Sequence, residues 1–149
     1  MNSMKIYHTK QLTFCTINTD SDIELPLVFS KVSAGFPSPA EDFPDIEIDL
    51  NKYLIKNKFT TYFVKVSGNS MQDIGISDGD LLIVDKSLEP TNNKIAVCFI
   101  DGEFTVKRIA IEKDCVWLVA ENPDYKPIKV TAENDLTIWG IVTNVIKFF

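Results

Sequence analysis

The stretch Lys94-Ile-Ala-Val-Cys-Phe-Ile-Asp-Gly-Glu-Phe-Thr-Val-Lys-Arg-Ile-Ala-Ile111 reads as two strands, Lys94–Ile100 and Glu103–Ile111, joined at Asp101-Gly102. Asp-Gly between two β-branched and aromatic runs is a two-residue hairpin signal, because both positions of the tight turn need positive φ. The same pattern repeats outward. Thr60–Val66 alternates aromatic and β-branched residues, Asp80–Val84 is a short apolar run, and Cys115–Ala120 and Leu136–Lys147 complete the set. Short strands separated by turns at roughly ten-residue intervals predict a mainly β chain, antiparallel, folded as a compact and partly closed β-domain. One short helix is expected after Asp49, a good N-cap, with Leu50, Tyr53 and Leu54 on one face.

The first forty-odd residues follow another rule. Thr9–Asp22 is polar, with apolar residues at no steady period, and Leu25–Ala40 carries Pro26, Pro37 and Pro39, which forbid a continuous helix. This segment is expected to be an extended, mobile arm able to lie in a groove as a strand-like peptide. The boundary falls near Phe43–Ile46, giving an arm over 1–42 and a folded domain over 43–149.

Composition excludes several classes of function. With 149 residues, 45% hydrophobic and 24% charged, the chain has the proportions of an ordinary globular protein with one core. No apolar run is long enough to span a bilayer, and Met1–His8 has no apolar signal region, so a cytoplasmic protein is expected. Net charge is −6, and Arg108 is the sole arginine among 15 basic residues. A reader of DNA sequence normally presents a basic, arginine-bearing face, so direct sequence-specific DNA binding is not expected. Cys15, Cys98 and Cys115 are odd in number and widely spaced, which fits reduced thiols and no zinc site. His8 is the single histidine and lies near the start of the chain. A Ser-His-Asp or Cys-His nucleophile has no well-placed base here, and no metal or cofactor is expected.

Two features suggest chemistry without a histidine. Ser67-Gly68-Asn69-Ser70-Met71 follows the Thr60–Val66 strand, and a short helical segment is expected over Met71–Ile74. A serine at such a turn has backbone N–H groups gathered around its oxygen, the makings of an oxyanion hole. The plain alternative is a turn with a capping serine. Lys107 lies in mid-strand, where lysine commonly points to solvent; among Phe104, Val106 and Ile109 it could instead face an apolar interior. Burial would lower its pKa from about 10.4 toward roughly 7–8, leaving a useful fraction neutral and able to take a hydroxyl proton. Ser–Lys is the one nucleophile–base pair this sequence readily builds.

Four blocks then resemble one family. They are Ala34-Gly-Phe-Pro-Ser-Pro-Ala40, Ser67-Gly-Asn-Ser-Met71, Gly75-Ile-Ser-Asp-Gly-Asp-Leu-Leu-Ile-Val-Asp85 and Asp101-Gly-Glu-Phe-Thr-Val-Lys107. Their order and separation are similar to those of the LexA/UmuD family of self-cleaving Ser–Lys peptidases, in particular its UmuD-type members, from Val32 to the C-terminus. The resemblance implies Ser70 as nucleophile, Lys107 as general base, the N–H groups of Ser70 and Met71 as oxyanion donors, and Ala34–Gly35 as the scissile bond. Small Ala34 suits a tight pocket, and Gly35 lets backbone approach closely. Cysteine is usual at the Ala34 position in UmuD-type chains, and alanine in LexA-type ones. Residues 1–34 match the family's arm poorly and run longer than it.

The resemblance further implies a homodimer, cleavage stimulated by a RecA–single-stranded DNA filament, and a processed form serving a UmuC-like, Y-family DNA polymerase in the SOS response. Two other readings stay open: a fragment of a LexA- or phage-type repressor, and a non-catalytic binding module with a vestigial dyad. The polar, Pro-interrupted stretch before Gly35 is a poor helix-turn-helix, which counts against the first. Asp78-Gly79-Asp80 reads as a turn rather than a metal loop, Asn122–Pro127 as a loop, Trp117 and Trp139 as core or dimer packing, and Phe148-Phe149 as dimer contacts.

Overall fold

The strand pattern is realised as eleven strands in a computed structural model that describes residues 6–8, 12–16, 19–20, 24–27, 34–35 and 46–149. In chain order they are β1 (Ile6–His8), β2 (Leu12–Thr16), β3 (Glu24–Leu27), β4 (Ile46–Asp49), β5 (Thr61–Val66), β6 (Leu81–Asp85), β7 (Ile95–Ile100), β8 (Glu103–Ile111), β9 (Val116–Val119), β10 (Ile128–Val130) and β11 (Leu136–Ile146). One helix, α1 (Leu50–Leu54), follows β4, and a 3-10 turn spans Gln72–Ile74. The chain divides into a unit of Met1–Ile17 with Asn57–Phe149 and a unit of Asn18–Lys56.

The larger unit is built on one antiparallel sheet of nine strands, ordered β1-β2-β5-β6-β11-β7-β8-β9-β10. The mainly β expectation holds. The β7–β8 hairpin forms as read, with Ile95 opposite Arg108 and Ile100 opposite Glu103. Asp101 and Gly102 take φ of +48° and +86°, the conformation the Asp-Gly turn was expected to supply. Long β11 joins the two halves of the sheet, pairing with β6 on one side and β7 on the other, with register shifts at Ile138/Gly140 and Val142/Asn144. Gly140 is fitted to a close approach: a Cβ there would lie 2.6 Å from Val84 Cγ1.

Alternation along the strands feeds two apolar clusters. Leu12, Val64, Val66, Met71, Ile76, Leu82, Val84, Val97 and Val106 form the first. Ala96, Cys98, Ile100, Ile109, Leu118 and Ile141 form the second. Successive residues of β7 therefore enter different clusters, as the two-residue period of a strand requires. Each buried Leu, Ile or Val contributes about 1.5–3 kcal/mol relative to exposure, which makes these clusters the main support of the sheet.

Three local readings are corrected. Leu12–Thr16 lies in a stretch read as aperiodic arm, yet it pairs residue for residue with β5, and Leu12 is 2% exposed against the first cluster. A five-residue strand shows too few periods to stand out, and its stability comes from the neighbour it pairs with. In α1 the expected cap forms, with Asn51 N–H donating to Asp49 Oδ1 at 2.8 Å, but the expected apolar face is not buried: Leu50 and Tyr53 are 49% and 60% exposed. Phe104 and Val106 do not share a face with Lys107. The register sets Lys107 opposite Ala96 and Thr105 opposite Cys98, over the second cluster, while Val106 enters the first.

The smaller unit pairs β3 with β4, Glu24 opposite Asp49 and Leu27 opposite Ile46, so Leu25–Leu27 is extended as read. Pro26 is tolerated because this sheet has only two strands and every strand is an edge. Ala34 and Gly35 form an exposed bend. Residues 43–45 of the expected domain boundary lie outside the described residues.

Candidate active site

β5 runs directly into the turn that carries Ser70. Val66 closes the strand by donating its N–H to Asp80 O and accepting from Gly79 N–H, both at 2.9 Å. The next residues must leave the sheet sharply, and Gly68 does so at φ +99°, a conformation costly for any residue with a Cβ. Gly68 N–H donates to Asp78 Oδ1 at 2.8 Å, so the Asp78-Gly79-Asp80 segment is a turn whose carboxylates hold backbone. Asp80 does likewise, accepting from Ser77 N–H at 2.8 Å and from the Lys147 ammonium. On the far side of Ser70, Met71 is 2% exposed and anchored in the first cluster. Ser70 itself is half-buried, between a turn that needs glycine and a methionine driven inward.

Lys107 arrives from the middle of β8 and is 6% exposed. Its Nζ lies 3.1 Å from Ser70 Oγ, 2.7 Å from Thr105 Oγ1 and 3.0 Å from Val106 O. The two residues singled out from the sequence, 37 positions apart, are thus in hydrogen-bond contact. Burial pushes the Lys107 ammonium below the ordinary lysine range. Cys98 stands over the same cluster, but burial lifts its thiol to about 12, so at neutral pH it offers the lysine no negative charge.

Ser70 and Lys107 open into a cleft of about 260 Å³, walled by Phe104, Thr105, Tyr125 and Ile128. The Tyr125 ring centre is 6.0 Å from Lys107 Nζ. Two residues that hydrogen-bond to the Ser70–Lys107 pair or to the turn carrying Ser70 were not singled out from the sequence. Thr105 is two positions before Lys107 and hence on its face of β8, a relation the strand period makes available. Asn122, 6% exposed, donates from Nδ2 to Asn69 O at 2.9 Å, across 53 positions that no local pattern links. Trp139 packs as expected against the first cluster, its ring 5.2 Å from Tyr62. Phe148 and Phe149 are exposed at the chain end.

A serine hydroxyl touching a buried, charge-disfavoured lysine on an antiparallel β unit is an arrangement able to activate a nucleophile without a histidine. The chain belongs to the Peptidase S24-like family, whose model matches residues 26–143, a span that includes Ala34, Gly35, Ser70 and Lys107. Among its relatives, Protein ImpA of Salmonella typhimurium is 38% identical over 128 residues, covering 85% of this chain and 86% of that protein. Protein MucA of Escherichia coli is 40% identical over 122 residues, covering 80% and 82%. A LexA repressor from Ectopseudomonas mendocina is 41% identical over 129 residues, covering 86% of this chain and 62% of the repressor. The resemblance drawn from four short blocks therefore extends over most of the chain, and the chain is UmuD-like within the LexA/UmuD group. Among the described residues no helix is long and apolar enough to cross a membrane.

Proposed function

We propose that this protein is a self-cleaving serine peptidase that cuts its own Ala34–Gly35 bond with Ser70 as nucleophile and Lys107 as general base. The observation that carries this reading is the 3.1 Å contact between Ser70 Oγ and a lysine that is 6% exposed and pushed toward its neutral form. The contacts of Nζ suit either charge state. As an ammonium it has three N–H groups for three oxygens. As an amine it has two N–H groups and one lone pair. The Val106 carbonyl can only accept, so it takes one N–H; the Thr105 hydroxyl takes the other; the lone pair is left for the Ser70 O–H.

From that arrangement the steps follow. Lys107 takes the hydroxyl proton as Ser70 Oγ bonds to the Ala34 carbonyl carbon. The resulting oxyanion is stabilised by the backbone N–H groups of Ser70 and Met71. Collapse breaks the C–N bond, Lys107 delivers its proton to the Gly35 nitrogen, and the Ala34 acyl group stays on Ser70. Water, deprotonated by the again neutral Lys107, hydrolyses that ester and restores the hydroxyl. The products are residues 1–34 and Gly35–Phe149.

A RecA–single-stranded DNA filament stabilises the cleavable conformation of the arm over 1–42, a population shift that adds no catalytic group. The processed homodimer serves a Y-family, error-prone polymerase in the cytoplasm during the SOS response. ImpA and MucA match over four fifths or more of both chains while LexA matches over 62% of its own length, which supports an accessory subunit over a repressor.

The test is intact mass after incubation with an activated RecA–ssDNA–ATP filament, and separately at pH 10 alone, for wild type, Ser70→Ala and Lys107→Ala. A cut at Ala34–Gly35 in wild type, absent from both variants, is the expected result. Uncut wild type under both conditions would sink the peptidase reading.

A further inference from the structure

The loop that follows β9 reaches back to the nucleophile turn and grips it on both sides. Asn122 Nδ2–H donates to Asn69 O, one residue before Ser70, at 2.9 Å. Glu121 O accepts from Asp73 N–H, three residues after Ser70, also at 2.9 Å. The orientation of the Asn122 amide is unambiguous. Its Oδ1 accepts from Asp124 N–H at 3.0 Å, and a backbone N–H can only donate, so the amide nitrogen faces the carbonyl of Asn69. The loop is itself fixed to β8 next to Lys107, because the Arg108 guanidinium pairs with the Glu121 carboxylate.

Peptide geometry turns this contact into an effect on chemistry. Asn69 C=O and Ser70 N–H belong to one planar trans peptide, so they point in opposite directions from the same rigid plane. Whatever holds the Asn69 carbonyl sets the direction of the Ser70 N–H. A second donor, Gln72 N–H, reaches the same carbonyl from within the turn at 3.3 Å, a weaker local hold on the plane. Asn122 supplies the shorter bond from a 6% exposed side chain, where a hydrogen bond is stronger than in water and less free to rearrange.

We propose that Asn122 is a positioning residue for the oxyanion hole: it holds the Asn69–Ser70 peptide plane so that the Ser70 N–H faces the site of the developing oxyanion. This rests on the peptidase reading above. It assigns Asn122 no contact with substrate and no proton transfer. The loop containing Asn122 thereby contributes to the reaction although neither Ser70 nor Lys107 belongs to it.

Asn122→Asp is the sharpest probe, since it keeps the acceptor for Asp124 N–H and replaces the amide donor with a second carboxylate oxygen facing Asn69 O. Asn122→Ala removes the donor without adding a charge. Both would be measured against wild type for self-cleavage at Ala34–Gly35 from pH 7 to 11, each rate divided by the folded fraction found by circular dichroism under the same conditions. Loss of an oxyanion donor outright costs about 10²–10³-fold, so a misaimed one is expected to lower the plateau rate by roughly 10- to 100-fold. In Asn122→Ala, which adds no charge, the pH of half-maximal rate, which reports Lys107, should not move. A plateau equal to wild type per folded molecule would overturn the proposal and leave the peptidase reading standing. A shifted midpoint with an unchanged plateau would overturn it too, by showing that Asn122 acts on the lysine. Absence of cleavage in wild type itself would instead remove the reading on which the proposal rests.

Discussion

Lys107 and Ser70 meet at 3.1 Å, but the two are held there by different means. Lys107 belongs to a nine-residue strand, paired with Ala96 of β7 and one residue before the β9 ladder begins at Arg108, so its backbone is set by the sheet and its side-chain direction by strand alternation. Ser70 belongs to no strand. Its position depends on a left-handed glycine, the Asp78 carboxylate, a buried methionine and a carbonyl gripped from a distant loop. Lys107 is thus fixed by the regular part of the fold and Ser70 by individual contacts. Replacing the lysine should alter chemistry and leave geometry intact, whereas changes around the serine should alter geometry and leave the lysine's titration intact.

The largest effect expected is from Lys107→Arg. The guanidinium stays protonated above pH 12, so it cannot accept the serine proton even in the alkali that deprotonates a lysine. Self-cleavage should be undetectable at pH 10, at least about 10³-fold below wild type, while the sheet stays folded. Cleavage by this variant at a tenth of the wild-type rate would mean that Lys107 is not the base. On the other side of the comparison, Gly68→Ala meets no steric obstacle, since no atom lies within 4 Å of the new Cβ, so its effect isolates backbone strain at φ +99°. That strain costs about 1–2 kcal/mol or more. A plateau rate lowered about 10-fold with an unchanged pH midpoint is expected, and a shifted midpoint would show that the turn and the lysine are not separable.

The same division decides what could be read from the sequence. Asp101-Gly102 and the runs around it specify the β7–β8 hairpin, and β8 extends over Glu103–Ile111 as the pattern indicates. What was legible there is local: turn chemistry and two-residue alternation act over a few neighbours. β2 was not legible, because its one inward residue with described packing, Leu12, is buried only by pairing with β5 some fifty positions away. The face of Lys107 was half legible. Its burial was only one of two open readings, and the neighbours named for it included Phe104 and Val106, whereas the strand period and the register place Thr105, Ala96 and Cys98 there. Asn122 was legible only as part of a loop, since a buried amide and the carbonyl it meets are brought together by the whole sheet order.

Thr105 gives a smaller and more diagnostic effect. Its hydroxyl accepts from Nζ at 2.7 Å and so helps solvate the ammonium that burial disfavours. Thr105→Val keeps the shape and removes that acceptor, which lowers the lysine's pKa further. The pH–rate midpoint should move to lower pH, with a plateau reduced only a few-fold because Val106 O still orients the amine. An upward shift would contradict the role given to Thr105.

The smallest effect concerns stability rather than rate. Burial lowers the folded-state pKa of Lys107 below its unfolded value of about 10.4. Between those two values the unfolded chain binds a proton that the folded chain does not, so stability rises with pH across this window and is lowest below the folded pKa, where a charge must be kept buried. Lys107→Met removes that proton without opening a large void. Its Tm should exceed that of wild type at neutral pH, with about 4 °C expected per kcal/mol for a chain of this size, and the advantage should shrink as pH approaches 10. Ser70→Ala is the natural control: it removes cleavage as Lys107→Met does but leaves the buried amine in place, so its Tm should retain the wild-type rise with pH. Parallel Tm–pH curves for Lys107→Met and Ser70→Ala would mean that the lysine imposes no cost on the fold, and the burial at the centre of this site would have no measurable consequence.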